Sequence, residues 1–122
     1  MFHFRDDLIA WMKKTANKFS PAIEYGDRNM ELAEYLVIHP SNNYLEGMEV
    51  AGFTIQIIGV RSEYRNQGVA TSIMNTIENT AQMLGSDYIL IQSVNSDKMR
   101  SLALTLGYTR NRTSNDYYKM LK

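Results

Sequence analysis

The chain has 122 residues, 44% of them apolar and 21% charged, with thirteen basic side chains balancing thirteen acidic ones; this describes one globular domain and excludes a disordered or fibrous chain. No apolar run approaches the roughly 20 residues that span a bilayer, and residues 1–10 lack the basic and apolar regions of a signal peptide, so a cytoplasmic address and no membrane partner are expected. With no Cys there can be no disulfide, thiol nucleophile or thiolate metal site, and two distant His argue against a metal centre, so chemistry falls to hydroxyls, carboxylates, backbone amides or a borrowed cofactor.

In residues 6–19 the apolar positions Leu8, Ile9, Met12, Ala16 and Phe19 recur every three or four residues, which predicts a helix with one buried stripe. Asp6 and Asp7 at its start and Lys13, Lys14 and Lys18 toward its end complement the helix dipole, and Trp11 reads as a core anchor. Three extended segments follow, at about 22–25, 30–39 and 50–61. Gly-Asp and Ser-Asn-Asn turn chemistry separates them, and they read as an antiparallel meander. Pro21 and Pro40 sit at the expected ends of elements.

Val69, Ile73, Ile77, Ala81 and Leu84 then form a second helical stripe, closed by Gly85. Residues 88–94 are apolar on both faces apart from Gln92 and Ser93, which suits a strand buried within a sheet. A right-handed crossover through the helix places this strand parallel to the 50–61 strand. A shorter helix follows, with Ser96 as N-cap, an inner face of Met99, Leu102, Ala103 and Leu106, and Gly107 beyond its end. The chain closes with a hairpin, strands at about 108–112 and 116–121. The neutral total charge makes nucleic acid an unlikely partner. In the last 25 residues, however, Lys98, Arg100, Arg110, Arg112, Lys119 and Lys122 face only Asp116, either as a solvated face or as a phosphate-binding one.

The segment richest in chemistry is Ile58-Gly59-Val60-Arg61-Ser62-Glu63-Tyr64-Arg65-Asn66-Gln67-Gly68-Val69-Ala70, a strand passing through a tight loop into a helix. Gly68 lets an anion approach the backbone, where the free N–H groups of the first helical turn and the positive end of the dipole receive it. Arg65 adds a fixed charge for phosphate oxygens, and Arg61 is placed to add a second. The patterns G-x-x-x-x-G-K-[ST] and G-x-G-x-x-G are both absent, which argues against nucleoside triphosphate or dinucleotide binding of those types.

At these residues the sequence resembles the GCN5-related N-acetyltransferase (GNAT) family, whose signature [R/Q]-x-x-G-x-[G/A] reads here as Arg65-Asn66-Gln67-Gly68-Val69-Ala70, preceded by Glu63-Tyr64. The order of elements around it, ending in Leu106-Gly107-Tyr108 and a hairpin with Tyr117-Tyr118-Lys119-Met120, extends the resemblance over about residues 22–122. The resemblance implies one α+β domain over residues 1–122: a mixed sheet with an antiparallel N-terminal meander, two splayed parallel central strands, flanking helices and a C-terminal hairpin. It also implies acetyl-coenzyme A as co-substrate, wedged between the parallel strands. Backbone groups of Ile58, Gly59 and Val60 would pair with the pantetheine arm, and residues Arg65, Asn66, Gln67, Gly68, Val69 and Ala70 would hold the pyrophosphate. The Ile58 N–H would polarise the thioester carbonyl, and Asn95 is a further candidate near the pantetheine.

Two positions depart from the family's usual pattern. The residue four before the Gly that ends the short helix is Ala103, where many members carry a proton-donating Tyr. The strand before the signature offers Thr54 and Gln56, where many carry a Glu. No general base is identifiable: Glu31, Glu34 and Glu49 read as solvated strand carboxylates, and His3 and His39 have no evident partners. Tyr108, Tyr117 and Tyr118 are placed to supply hydroxyls but suit packing better. The expected function is direct N-acetyl transfer to an acceptor amine, perhaps on a protein. An acyl-coenzyme A binding or protein-interaction module, and a nucleic-acid-associated member of the family, are the alternatives.

Overall fold

The computed structural model describes residues 5–16, 18, 20–26, 34–60 and 68–122. Helix α1 (Arg5–Thr15) is followed by strands β1 (Ile23–Gly26), β2 (Glu34–Leu45) and β3 (Met48–Val60), helix α2 (Val69–Met83), strand β4 (Tyr88–Ile91), helix α3 (Asp97–Thr105) and strands β5 (Thr109–Arg110) and β6 (Tyr117–Met120). The strands form one mixed sheet in the order β1-β2-β3-β4-β6-β5, parallel only between β3 and β4. This is the α+β architecture that the sequence implies. Among the described residues no helix is long and apolar enough to cross a membrane.

The β2–β3 turn lies elsewhere than the sequence suggests. Ser41, Asn42 and Asn43 are strand residues, and the reversal falls on Glu46 and Gly47, both at positive φ (52° and 80°), the conformation that a two-residue hairpin loop requires. The polar run is tolerated within the strand because it is hydrogen-bonded. Tyr88 reaches across Gly52, and its hydroxyl shares a hydrogen bond with Ser41 Oγ and accepts one from Asn43 Nδ2 at 2.9 Å. Ser41 Oγ also lies 2.8 Å from Thr54 Oγ1. Pro40 stands inside β2 rather than at its end, beyond the stretch that pairs with β1, where a missing N–H leaves no ladder bond unmade.

One sheet face carries the core. Leu36 and Ile38 of β2, Phe53 and Ile55 of β3, and Ile89 and Ile91 of β4 pack against Leu8 and Met12 of α1 and Val69, Ile73 and Ile77 of α2. Trp11, half-buried, packs edge-on to Tyr25 and against Phe53 at centroid distances of 6.4 and 6.1 Å. On the opposite face, Leu45 and Val50 from the β2–β3 hairpin pack with Tyr88 and Leu90, and Glu46 Oε2 accepts a 3.0 Å bond from the Tyr118 hydroxyl. Helices α2 and α3 both end in glycine, as expected. Gly85 (φ 76°) and Gly107 (φ 90°) allow paired backbone bonds, Ser86 N to Ala81 O with Gly85 N to Gln82 O, and Tyr108 N to Ala103 O with Gly107 N to Leu104 O.

Candidate active site

The parallel ladder between β3 and β4 is only four pairs long, from Gly52 opposite Tyr88 to Ile55 opposite Ile91. Its last bond is Gln92 N to Ile55 O at 2.9 Å. Beyond it the two chains part. Ser93 adopts φ 55° and donates its N–H to Asp116 Oδ1 at 2.8 Å, and Val94 N donates to Asn115 O at 2.9 Å, which draws the chain after β4 toward the C-terminal hairpin. β3 continues straight along β2 as far as Val60. Among the described residues no strand then flanks residues 56–60 on the side away from β2, which leaves a gap in the ladder along that edge of β3.

A bulge decides which backbone groups line this gap. Ile38 lies opposite Ile55 but Val37 lies opposite Ile57, so Gln56 is an extra residue in β3. Ile55 presents its carbonyl to β4. Alternation along β2 from Ile38 to Leu36, which faces Ile58, then turns the Ile58 N–H and C=O away from β2 and toward the gap. The same bulge turns the Ile58 side chain onto the core face and leaves Ile57 44% exposed.

The N-terminus of α2 stands at the end of the segment that follows β3. Its N-cap is Gly68, in the left-handed region (φ 79°), and no side chain among the described residues caps the helix. Ser72 N donates to Gly68 O at 2.9 Å, the first helical bond, so the preceding N–H groups have no partner within the helix. A Cβ at Gly68 would meet nothing within 4 Å among the described residues. Amides with no described cap at the helix start, and a β3 edge with no described strand partner, suit a ligand with both a phosphate group and an amide-bearing arm. Val69 is buried at the start of the helix and Ala70 is half-buried. Arg65, Asn66 and Gln67, with Arg61, lie outside the described residues.

Asn95 immediately precedes Ser96, which caps α3 by accepting Met99 N at 3.1 Å. The Asn95 Oδ1 accepts from Asn115 Nδ2 at 3.3 Å, so it sits between α3 and the C-terminal hairpin. Ala103, where many family members carry a tyrosine, is wholly buried in the core with Tyr108 and Tyr117. Tyr108 is itself buried there. Burial, with the Glu78 carboxylate nearby, pushes its phenol far above the ordinary value, and its hydroxyl has no hydrogen-bond partner among the described residues. Glu78 Oε1 is held by Lys119 Nζ at 2.7 Å, and that ammonium also donates to Leu106 O at 2.9 Å, tying α2, α3 and β6 together.

The remaining candidates are scattered. Glu49 is exposed on the hairpin, Glu34 takes a β2 position opposite Val60, and Glu31 and His3 lie outside the described residues. His39 donates Nδ1–H to the Pro40 carbonyl at 2.8 Å. Gln56 is exposed at the bulge, and Thr54 is occupied by Ser41. Among the described residues no group of three or more acidic or His side chains could hold a metal. The bulge is the feature that sequence reasoning missed: nothing in the apolar run 57–60 marks Gln56 as the extra residue.

The sequence matches the model of the acetyltransferase (GNAT) family over residues 2–108. No curated protein matches it. Among solved structures, a mutant of the toxin AtaT bound to the C-terminus of the antitoxin AtaR and acetyl-CoA is similar at TM-score 0.57 and 16% identity, over 73% of this chain and 59% of that one. AtaT complexed with acetyl-methionyl-tRNAfMet is similar at 0.57 and 15%, over 72% and 62%. An acetyltransferase of the GNAT family from Staphylococcus aureus gives 0.59 and 12%, over 79% and 64%. The chain thus spans about three-fifths of the length of these relatives, and at such identities the likeness is one of fold.

Proposed function

The chain belongs to the acetyltransferase (GNAT) family, and on that premise we propose that it is an acetyl-CoA-dependent N-acetyltransferase with acetyl-CoA as co-substrate. The observation that carries the reading is the gap itself: a parallel ladder that stops at Ile55, a bulge that aims the Ile58 amide outward, and a helix start at Gly68 with no described cap. The backbone of Ile58, Gly59 and Val60 would take the pantetheine arm as an added strand. Residues Arg65, Asn66, Gln67, Gly68, Val69 and Ala70 would hold the pyrophosphate through their amides and the Arg65 charge, with Asn95 lining the far side of the gap.

When bound, the co-substrate supplies an activated acetyl group as a thioester. The Ile58 N–H would donate to the carbonyl oxygen, an interaction that strengthens as negative charge collects there when an acceptor amine attacks. The rest of the contribution is positioning, holding amine and thioester within reach of each other. No side chain is assigned to protonate the leaving thiolate. A coenzyme thiol resembles Cys, with a pKa near 8.5, and can leave unassisted near neutral pH, more slowly by the factor of about 10² to 10⁴ that a general acid supplies.

An amine on a protein remains the proposed acceptor. The complex of AtaT with an acetylated aminoacyl-tRNA adds RNA-borne amines to the acceptors worth testing, and it removes the ground on which neutral charge argued against nucleic acid. The buried Ala103 supports a second reading, an acyl-CoA binding module with little turnover. Two measurements decide. Acetyl-CoA and desulfo-coenzyme A should both raise the melting temperature, since a ligand at 100 times its Kd stabilises by about 2.7 kcal/mol. Acetyl transfer should then be detectable on a panel of peptide, small-molecule and aminoacyl-RNA amines. No thermal shift at millimolar ligand overturns the co-substrate assignment; a shift without transfer to any acceptor selects the binding module.

A further inference from the structure

A groove of about 680 Å³ runs between α1 and α2 on the outer side of the helical layer, from Gly68 at the start of α2 to Met83 at its end. Its α1 wall carries Arg5 and Lys13, two helical turns apart at i and i+8 and therefore about 12 Å from each other along the axis. Its α2 wall carries Thr71, Ser72, Asn75 and Asn79, a continuous stripe of hydroxyls and amides. Among the described residues no acidic side chain lines the groove, and neither Arg5 nor Lys13 is in an ion pair. The one acidic residue of α2, Glu78, is buried and bound to Lys119 instead. An exposed helix face usually mixes Lys with Glu; this one offers neutral donors and acceptors opposite two uncompensated cations.

The basic cluster at the C-terminus is compensated in part. Arg100 pairs with Asp97 at 2.6 Å, Lys119 with Glu78 and Lys122 with Asp87 at 3.1 Å, and Arg110 is occupied by Ser114 O and Asn115 Oδ1 at 3.2 Å each. Of the six basic residues there, Lys119 and Lys122 meet acids that the fold brings from elsewhere, and Arg100 meets its neighbour Asp97. Lys98 and Arg112 also have no ion pair among the described residues, but Arg5 and Lys13 face one groove together.

We propose that the α1–α2 groove binds the ribose-phosphate backbone of single-stranded RNA. Arg5 and Lys13 meet phosphates, and the Thr71, Ser72, Asn75 and Asn79 stripe meets ribose 2′-hydroxyls, the group that distinguishes RNA from DNA. The alternative occupant, a protein, would be expected to meet an apolar centre, whereas among the described residues Ile9 and Met83 are the large apolar side chains of the groove. The proposal is independent of acetyl transfer, because binding needs no co-substrate.

The test is fluorescence anisotropy with a labelled 20-nucleotide single-stranded RNA of mixed sequence, and its DNA counterpart, at 50 and 200 mM salt without acetyl-CoA. Two phosphate contacts on a single strand contribute a log–log salt slope of about −1.4, a loss of about sevenfold between those concentrations. The double variant Arg5→Ala/Lys13→Ala should lose that part of the slope. Asn75→Asp/Asn79→Asp, on the exposed face of α2, should weaken binding further by repulsion, and Arg110→Ala/Arg112→Ala should bind as the wild type does. Circular dichroism of all three variants confirms that the fold is kept. Failure to bind RNA at 50 mM salt overturns the proposal, as does unchanged binding by both groove variants. Equal affinity for DNA refutes the role of the α2 stripe. If the groove variants instead lose coenzyme A and keep RNA, the groove serves the co-substrate's own phosphorylated ribose and the proposal falls.

Discussion

Replacing Gly52 by alanine should damage the protein out of proportion to the single methyl added. Gly52 forms the first pair of the short ladder that joins β3 to β4, opposite Tyr88. A Cβ there would lie 2.1 Å from the Tyr88 carbonyl oxygen and 2.9 Å from its ring, against the 3.0 Å below which real Cβ atoms essentially never approach a neighbour. The obstacle is backbone, so no rotamer change relieves it; the strands must separate by nearly 1 Å at that end of the ladder. Overpacking of this kind costs about 1–3 kcal/mol. Displacing Tyr88 also endangers its bonds to Ser41 and Asn43, worth about 1 kcal/mol each. A loss of about 3–5 kcal/mol is expected, a large part of the total stability of a domain this size, and coenzyme A affinity should fall with it because the strand separation sets the gap. Urea denaturation followed by circular dichroism measures the first effect and calorimetric titration the second. Gly47→Ala is the control: its Cβ meets nothing within 4 Å, and only its positive φ is penalised, by about 1–2 kcal/mol. If Gly52→Ala costs no more than Gly47→Ala, the account of the ladder is wrong.

Gly68→Glu should abolish coenzyme A binding while leaving the circular dichroism spectrum nearly unchanged, since a Cβ there meets nothing within 4 Å among the described residues but the new charge opposes the pyrophosphate; wild-type affinity would remove α2 from the site. Ala103→Tyr and Ala103→Phe should both destabilise by about 1–3 kcal/mol and neither should speed acetyl transfer, because Ala103 is wholly buried; a rate gain specific to Tyr would show that its hydroxyl reaches the gap. Asp87 is held below the ordinary carboxylate range by the backbone N–H of Ala51 and then by Lys122. Its stabilising effect is therefore present above the unfolded pKa of about 3.9 and is lost as pH falls through the lower folded value, so stability should decline below about pH 4, and Asp87→Asn should flatten that decline in denaturation profiles.

Local rules account for much of this architecture. Apolar spacing in Leu8 to Met12 and in Val69 to Ala81, glycine after each of the last two helices and Ser96 before α3 are signals of single segments, so the sequence alone determined those helices, and with them the order of strands and the family. Other features depend on partners far apart in the chain. Ser41-Asn42-Asn43 reads as a turn because polar residues satisfy their own backbone locally; only the approach of Tyr88, forty-five residues beyond Asn43, makes those polar groups useful inside a strand. The basic C-terminus reads as a charged surface until Glu78 and Asp87 are folded against it. Which amide faces the gap is also a tertiary matter. Without the extra residue at Gln56, Leu36 would lie opposite Ile57 and the neighbouring amide would turn outward in place of that of Ile58; a shift of one residue reverses every group along a strand, and the shift is set by pairing with β2 rather than by any property of Gln56 itself.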